Sequence, residues 1–186
     1  LVSEFADIVR REYLAVGIRE ALHPQIDLAT EPRWARISGN FSEDAALTAR
    51  LVKPYILGLQ GEKLSNGVAC MTKHFPGGGP QKEGLDPHFS FQKGQIYPGD
   101  NFDYHLIPFE AAFEVNTAAI MPYYGIPTDQ TDENVAMAYN KTIITTLLRE
   151  KYKYDGVVCT DWGLITDRPM GPGVVWKARA WGVENL

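Results

Sequence analysis

Apolar and polar residues alternate with the period of a helix in four segments of this chain. Residues 2–17, 104–115 and 140–152 predict helices, and another helix is expected to begin at Ser42 as its N-cap. Pro54 lies within that helix and is expected to bend or locally break it. The side chains of the first helix that should face the core are Phe5, Ile8, Val9, Tyr13 and Val16.

Between these helices four short segments predict strands, and the apolar runs among them are typical of strands buried on both faces, as in a parallel sheet. Because strands alternate with helices, we expect parallel βαβ units and an α/β fold. Cys70 and Cys159 lie within two of the runs. They are expected to be buried apolar side chains, because the paired spacing of zinc-binding cysteines is absent. The four predicted strands are residues 21–27, 68–72, 118–124 and 156–161.

Two segments without a regular pattern follow strands, namely residues 73–103 and the Gly- and Pro-rich residues 163–173. Both are predicted to be loops, and loops as long as the first are usually functional in compact domains. Polar residues collect after the predicted strands, so we expect one catalytic face at their carboxyl ends. The run Gly77–Gly79 does not indicate a phosphate-binding loop, because Pro80 follows where Gly-Lys-Ser/Thr is required.

The length and net charge of the chain argue against some classes of function. The net charge of −5 argues against a nucleic-acid partner, and no apolar run reaches the roughly 18 residues of a membrane span. The 186 residues should form one domain, too short for a complete (β/α)8 barrel of roughly 250 residues. The chain begins at Leu1, without Met, and its first residues do not show the basic start and apolar run expected of a signal peptide. We therefore expect a piece of a longer protein and leave its localisation open.

Asp161 is the first candidate for chemistry because it ends the last predicted strand. A retaining glycosidase needs one ionised carboxylate to attack the anomeric carbon, and a second carboxyl about 5 Å away as acid/base. Trp162 follows directly, and an aromatic ring there can stack on the face of a sugar. The pair predicts a glycosidase site. The simpler alternative is that Asp161 is a turn residue or a helix N-cap.

Several motifs in order give the chain a resemblance to glycoside hydrolase family 3. Residues 31–36 (EPRWAR) are similar to the PRWGR stretch of that family, residues 73–77 to its KHFPG motif, and residues 160–162 to its (S/T)DW nucleophile motif. The resemblance implies a partial (β/α)8 TIM-like barrel with parallel strands, incomplete at both ends, over residues 1–186. One departure is Gly39, where members usually carry Glu, which is expected to loosen the loop that holds Arg36.

The resemblance also implies a function for individual residues. Asp161 would be the nucleophile in the exo-acting, retaining hydrolysis of terminal β-glucosides, with a carbohydrate as partner and no cofactor or metal. Lys and His side chains supply hydrogen-bonding groups for sugar hydroxyls. Arg36 is preferred to Arg33 on the family alignment alone. The residues expected to bind the sugar are Arg36, Lys73, His74, Tyr124 and Trp162.

The acid/base remains open between two sources. In the glucosidase branch of the family a Glu from a later domain supplies it, so a C-terminal domain is expected in the parent chain. In the N-acetylglucosaminidase branch an Asp-His pair follows KHFPG, and Asp86 and His88 stand near that place, separated by Pro87. His23 and His105 have no partners in the sequence and are predicted to be structural.

A third alternative is a non-catalytic carbohydrate-binding or structural fragment. An open barrel exposes strand edges and apolar faces that a closed barrel buries. The isolated chain is therefore expected to be inactive or unstable even if the parent protein is an enzyme.

Overall fold

The computed structural model describes residues 1–184, which contain one parallel sheet and four helices. The sheet has four strands in the order β1-β2-β3-β4, and each neighbouring pair is parallel. This order confirms the predicted βαβ units and the α/β fold. The strands are β1 Glu20–Ala21, β2 Ala69–Phe75, β3 Ala119–Pro122 and β4 Val157–Val158.

Helices separate the strands along the chain, and α2 packs against both α1 and α3. The fourth helix has the wider hydrogen-bonding pattern of a π-helix. None of the helices among the described residues is long and apolar enough to span a membrane. The helices are α1 Val2–Ala15, α2 Ala45–Gln60, α3 Phe102–Glu114 and α4 Thr142–Lys151.

Each face of the sheet contributes to a different apolar cluster. Cys70 of β2 belongs to the large core, together with Ile56 and Phe109 from the helices. The next residue, Met71, belongs to a small cluster with Met121 of β3. This alternation is what a strand requires, because successive side chains point to opposite faces. The large core therefore lies on the helix side of the sheet and the small cluster on the other side.

Two expectations for α2 are wrong. Asp44, and not Ser42, caps the helix, because its side chain accepts a hydrogen bond from the backbone N–H of Leu47 (2.6 Å). The hydroxyl of Ser42 instead accepts the N–H of Asp44 (3.0 Å). Pro54 does not break the helix, which continues to Gln60. The missing hydrogen bond is tolerated here because α2 is packed against helices on two sides.

The last strand and the first helix are more exposed than predicted. Val157 of β4 is 62% exposed and Cys159 is only half-buried, because β4 forms the edge of the four-stranded sheet. Phe5 and Ile8 of α1 are also exposed, although their spacing predicted a core-facing stripe. In the described part of the chain, β4 and the exposed face of α1 both lie at the margins of the packed layers. The apolar periodicity of one segment does not show whether another element covers it.

Two further boundaries differ from the predictions. The Gly- and Pro-rich segment expected to be a loop forms an antiparallel hairpin of β5 (Arg168–Gly171) and β6 (Val174–Trp176). The strand predicted over residues 21–27 is reduced to β1 and one bridge between Gln25 and Lys73. Pro24 explains the interruption, since proline has no N–H for the ladder.

His105 of α3 lies in the core against the ring of Tyr97, and burial lowers its pKa to about 4. The folded protein therefore resists protonation that the unfolded chain accepts below about pH 6.5. We expect the free energy of unfolding to fall by about 3 kcal/mol as the pH drops from 6.5 to 4. Urea unfolding of wild type and His105→Leu across this range measures it. An identical pH slope in both proteins would contradict the assignment.

Candidate active site

The carboxyl ends of β2, β3 and β4 lie side by side and are called the carboxyl edge below. Thr72 pairs with Ile120, and Ile120 pairs with Val158, so the three parallel strands end at the same edge. The predicted side chains therefore lie in the last residues of neighbouring strands or just beyond them. Those that this edge positions are Lys73, His74, Tyr124 and Asp161.

Asp161, His74 and Arg36 meet at the carboxyl edge. The ring Nε2 of His74 lies 3.8 Å from Oδ2 of Asp161 and 3.2 Å from Nη2 of Arg36. His74 and Asp161 are both buried. Side chains from three separate segments thus surround one small space, in which a carboxylate, an imidazole and a guanidinium face one another.

Lys73 is half-buried beside this group. Burial and the charge of Arg36 lower its pKa, while Asp161 and Asp27 act in the opposite direction. The ladder between β2 and β3 shifts register between Lys73 and Phe75. Such irregularities re-aim side chains, so adjacent residues of β2 both interact with Asp161.

Tyr124 and Trp162 hold the backbone beside Asp161. The hydroxyl of Tyr124 donates a hydrogen bond to the carbonyl of Trp162 (2.7 Å), and the N–H of Trp162 donates to Oδ1 of Asp161 (2.7 Å). Burial and the nearby Asp161 raise the pKa of Tyr124, which therefore stays a donor at neutral pH. Oδ1 of Asp161 is fixed by this contact, while Oδ2 faces His74.

The indole of Trp162 is 62% exposed. It borders a cleft of about 530 Å³ together with Asp161, Met121 and Cys159. A larger surface depression, of about 710 Å³, lies between α1 and the end of α2, away from the carboxyl edge. Asp161 lines the smaller cleft and not the larger depression. The smaller cleft is therefore the candidate substrate site.

Asp86 and His88 form a hydrogen-bonded pair despite the intervening Pro87. One oxygen of Asp86 accepts from Nδ1 of His88, and the other accepts from the indole N–H of Trp34 (2.7 Å). Burial alone would raise the pKa of Asp86, but these hydrogen bonds lower it to about 2. The His88 ring packs edge-on against Tyr124, with 4.6 Å between centroids. The pair therefore borders the residues that support Asp161.

Arg179 is a residue of this region that the sequence analysis missed. It is buried, with its guanidinium 4.0 Å from the ring centroid of Trp176 and 5.0 Å from that of Tyr124. It donates hydrogen bonds to the carbonyls of His88 (3.2 Å) and Trp162 (3.3 Å). Arg179 thus connects the loops that follow β2 and β4. Its sequence separation of 91 from His88 left no local signal.

Asp27 and Gln25 were also missed. Asp27 is fully buried and accepts a hydrogen bond from Nδ1 of His74 (2.7 Å). Its place at the end of the predicted strand 21–27 was a usable signal, since the same criterion identified Asp161. Gln25 accepts from Nη2 of Arg36 (3.2 Å) and donates to the carbonyl of Arg36 (3.3 Å).

Gln25 lies beside Gly39, at the position where the sequence analysis expected the Arg36 loop to be loosened. A Cβ atom at Gly39 would lie 3.3 Å from the amide group of Gln25. Gln25 also donates to the side-chain oxygen of Asn40 (2.7 Å). The space next to Gly39 is therefore filled by a residue that holds the loop on both sides.

His23 makes its hydrogen bonds outside the group formed by Arg36, His74 and Asp161. His23, predicted to be structural, lies between the hydroxyls of Tyr13 (3.2 Å) and Tyr55 (3.1 Å). Within residues 1–184, no three side chains of His, Cys, Asp or Glu are grouped so that they could hold a metal ion.

The comparison with protein families agrees with the motifs at the carboxyl edge. The model of the glycosyl hydrolase family 3 N-terminal domain matches residues 1–170. This chain belongs to glycosyl hydrolase family 3. The sheet and its helices correspond to part of the family 3 barrel domain, which confirms the predicted partial TIM-like barrel.

Curated family 3 relatives match the whole chain. Beta-glucosidase C of Emericella nidulans is 56% identical and the periplasmic beta-glucosidase/beta-xylosidase of Dickeya chrysanthemi is 43% identical, each over 100% of this chain. The chain spans 30% and 31% of the length of these two relatives.

Solved structures of the family are similar in fold. The beta-glucosidase from Listeria innocua is 26% identical, with a TM-score of 0.74 over 87% of this chain and 22% of its own. A family 3 beta-N-acetylglucosaminidase from Paenibacillus sp. is 30% identical, with a TM-score of 0.76 over 86% of this chain and 30% of its own. Both branches weighed from the sequence are thus represented among the neighbours.

Proposed function

We propose that the protein containing this chain is a retaining, exo-acting β-glucosidase with Asp161 as its nucleophile. The observation that supports this most is the placement of Asp161, a carboxylate at a strand end, 3.8 Å from His74 and beside Arg36. The names of the relatives that match the whole chain support the same activity.

Asp161 suits nucleophilic attack because its two oxygens have different surroundings. Oδ1 is held by the N–H of Trp162, so the carboxylate is oriented before a substrate arrives. Oδ2 is the oxygen that would attack the anomeric carbon and form a glycosyl ester. The leaving oxygen takes a proton from the acid/base, and water then hydrolyses the ester with proton transfer in reverse.

The terminal sugar would lie against Arg36, Lys73 and His74. The two cations are donors only, and His74 faces Asp161 and Arg36 with its Nε2 side, since Nδ1 is bound to Asp27. Trp162 would pack its exposed ring against the sugar or the leaving group. Tyr124 would act by holding the carbonyl of Trp162 and, through it, the backbone next to Asp161.

We place the acid/base of the glucosidase on a Glu from a further domain. The relatives named beta-glucosidase are much longer than this chain, which leaves room for such a domain. Within the described residues, the carboxyl groups of the site are Asp27, Asp86 and Asp161. Asp27 is fully enclosed behind His74, and Asp86 is engaged with His88 and Trp34.

A second candidate is a β-N-acetylglucosaminidase that uses Asp86 and His88 as acid/base. The specific observation in its favour is that the pair is formed, with His88 against Tyr124. The carboxylate can stabilise the charge that His88 gains when it takes up a proton. The similarity in fold to the Paenibacillus enzyme supports the same branch.

Substrate choice and His88 together separate the two candidates. We expect the complete protein to hydrolyse an aryl β-glucoside faster than the matching N-acetyl-β-glucosaminide, with β-glucose as the first product by NMR. His88→Ala should reduce glucoside turnover by less than roughly tenfold, because His88 then acts only in packing.

The control for this test is His23→Ala, which removes a histidine held by the hydroxyls of Tyr13 and Tyr55 and not paired with Asp86. A loss of roughly 100-fold or more in His88→Ala alone, with faster turnover of the N-acetyl substrate, favours the second candidate. Release of α-glucose first would contradict a retaining mechanism altogether.

A further inference from the structure

Asp27 is a buried carboxylate that the proposed mechanism leaves without a role. It lies on the Nδ1 side of the His74 ring, whereas Asp161 and Arg36 lie on the Nε2 side. A substrate that touches Asp161 cannot reach Asp27 without displacing His74. Asp27 must therefore act through that ring if it acts on the reaction.

Two backbone N–H groups require Asp27 to accept, and an ionised Asp27 can only accept from His74 as well. Oδ2 accepts from Nδ1 of His74 (2.7 Å), and Oδ1 accepts from the backbone N–H groups of Gly78 (2.5 Å) and His74 (3.3 Å). Burial alone would raise the pKa of Asp27, but these donors and Arg36 hold it below its usual value. With an ionised Asp27, the proton of His74 must lie on Nδ1.

The other ring nitrogen faces a permanent donor. Nη2 of Arg36 lies 3.2 Å from Nε2 of His74, and a guanidinium in a protein always carries its protons. Oδ2 of Asp161 also faces Nε2 but lies farther away (3.8 Å), so we infer that Nε2 accepts from Arg36 and that the ring is neutral. Burial lowers the pKa of His74, which agrees with a neutral ring.

We propose that Asp27 is a positioning residue that fixes His74 as the Nδ1–H tautomer and, through it, orients Arg36 for the sugar. The order of hydrogen bonds is Asp27, His74 and then Arg36. Nη1 of Arg36 is buried and has no hydrogen-bond partner among the described residues, so the guanidinium is held through Nη2. This inference rests on the proposed site, but its first readout requires no turnover.

Asp27→Asn tests the proposal because Asn has the shape of Asp but carries an NH₂ donor in place of one acceptor oxygen. Its single carbonyl oxygen is needed by the two backbone N–H groups, so its NH₂ must face Nδ1 of His74. Nδ1 then has to accept, and the proton moves to Nε2. There it opposes a donor of Arg36, whose Nη2 then keeps only its hydrogen bond to Gln25 (3.2 Å), so the guanidinium is held less firmly.

The first experiment is ¹⁵N NMR of His74 in the complete protein, assigned with His74→Ala. We expect the Nδ1–H form in wild type and the Nε2–H form in Asp27→Asn. An Nε2–H ring or an imidazolium in wild type at pH 7 would overturn the proposal, and this measurement does not depend on whether any variant folds.

The second experiment is a double-mutant cycle between Asp27→Asn and His74→Ala, read by glucose binding and by kcat/KM on an aryl β-glucoside. Asp27→Asn alone should weaken both by roughly 10- to 100-fold. In the His74→Ala background it should add less than roughly threefold, because the ring through which it acts is gone. If the fold-changes of the two single variants simply multiply in the double variant, Asp27 has a purely structural role.

Thr117→Val is the control for lost stability. It removes the hydroxyl of Thr117, which precedes β3, and with it a buried hydrogen bond to Thr72 (2.7 Å). We expect no coupling with His74→Ala. If the protein binds glucose as expected but hydrolyses no glucoside, the proposed function fails while the role of Asp27 stands. Normal glucose binding by a folded Asp27→Asn protein would overturn that role.

Discussion

Asp161→Asn is expected to lower kcat for an aryl β-glucoside by roughly 10³- to 10⁵-fold while glucose binding survives. The amide oxygen keeps the hydrogen bond from the N–H of Trp162, so the loop should retain its conformation. The amide is a poor nucleophile, so the glycosyl ester cannot form at a useful rate. Steady-state kinetics and glucose titration measure the two effects separately.

Asp155→Asn is the matched control for this prediction. Asp155 is exposed and precedes β4, so the same chemical change is made at the other end of the strand that carries Asp161. Its kcat should equal that of wild type. A 2-deoxy-2-fluoro-glucoside should label wild type at Asp161, as located by mass spectrometry. Near-normal turnover of Asp161→Asn, or a label on another residue, would remove Asp161 from its role.

The order of helices and strands along the chain was predictable because it depends on the apolar pattern within each segment. A run such as residues 68–72 is too short and too apolar for a surface helix, and helices on either side make the sheet parallel. The hairpin of β5 and β6 was missed because Pro169 and Gly171 mask any alternation. Its pairing is decided by a contact between two segments and not by either segment alone.

The candidate site was predictable only where a residue ends a strand or belongs to a motif. Asp161 and His74 satisfied both conditions, and the structure brings them within 3.8 Å of each other. Asp27 also ends a predicted strand, but its partner His74 is 47 positions away, and Arg179 is 91 positions from His88. Such partners are chosen by the fold, so single-sequence reasoning finds the groups that would meet a sugar more readily than those behind them.

The glycine run after KHFP shows the same limit for packing. The sequence excluded a phosphate-binding loop but gave no other use for Gly77–Gly79. In the structure, a Cβ at Gly78 would lie 2.5 Å from the ring of Tyr123. That ring also packs on His74, with 4.6 Å between centroids. The glycines therefore allow the backbone after β2 to approach its neighbours closely, and this closeness places Gly78 next to Asp27.

Gly79→Ala is expected to reduce the free energy of unfolding by roughly 3 kcal/mol or more, because its Cβ would lie 1.8 Å from the carbonyl oxygen of Leu28. Neither backbone can move aside without disturbing Asp27. Gly17→Ala is the control: it has a φ of +84° but no atom within 4 Å, so it should lose only about 1 kcal/mol. Urea unfolding compares the two. If Gly79→Ala were no less stable than Gly17→Ala, the close approach of the two backbones would not be what requires glycine at this position.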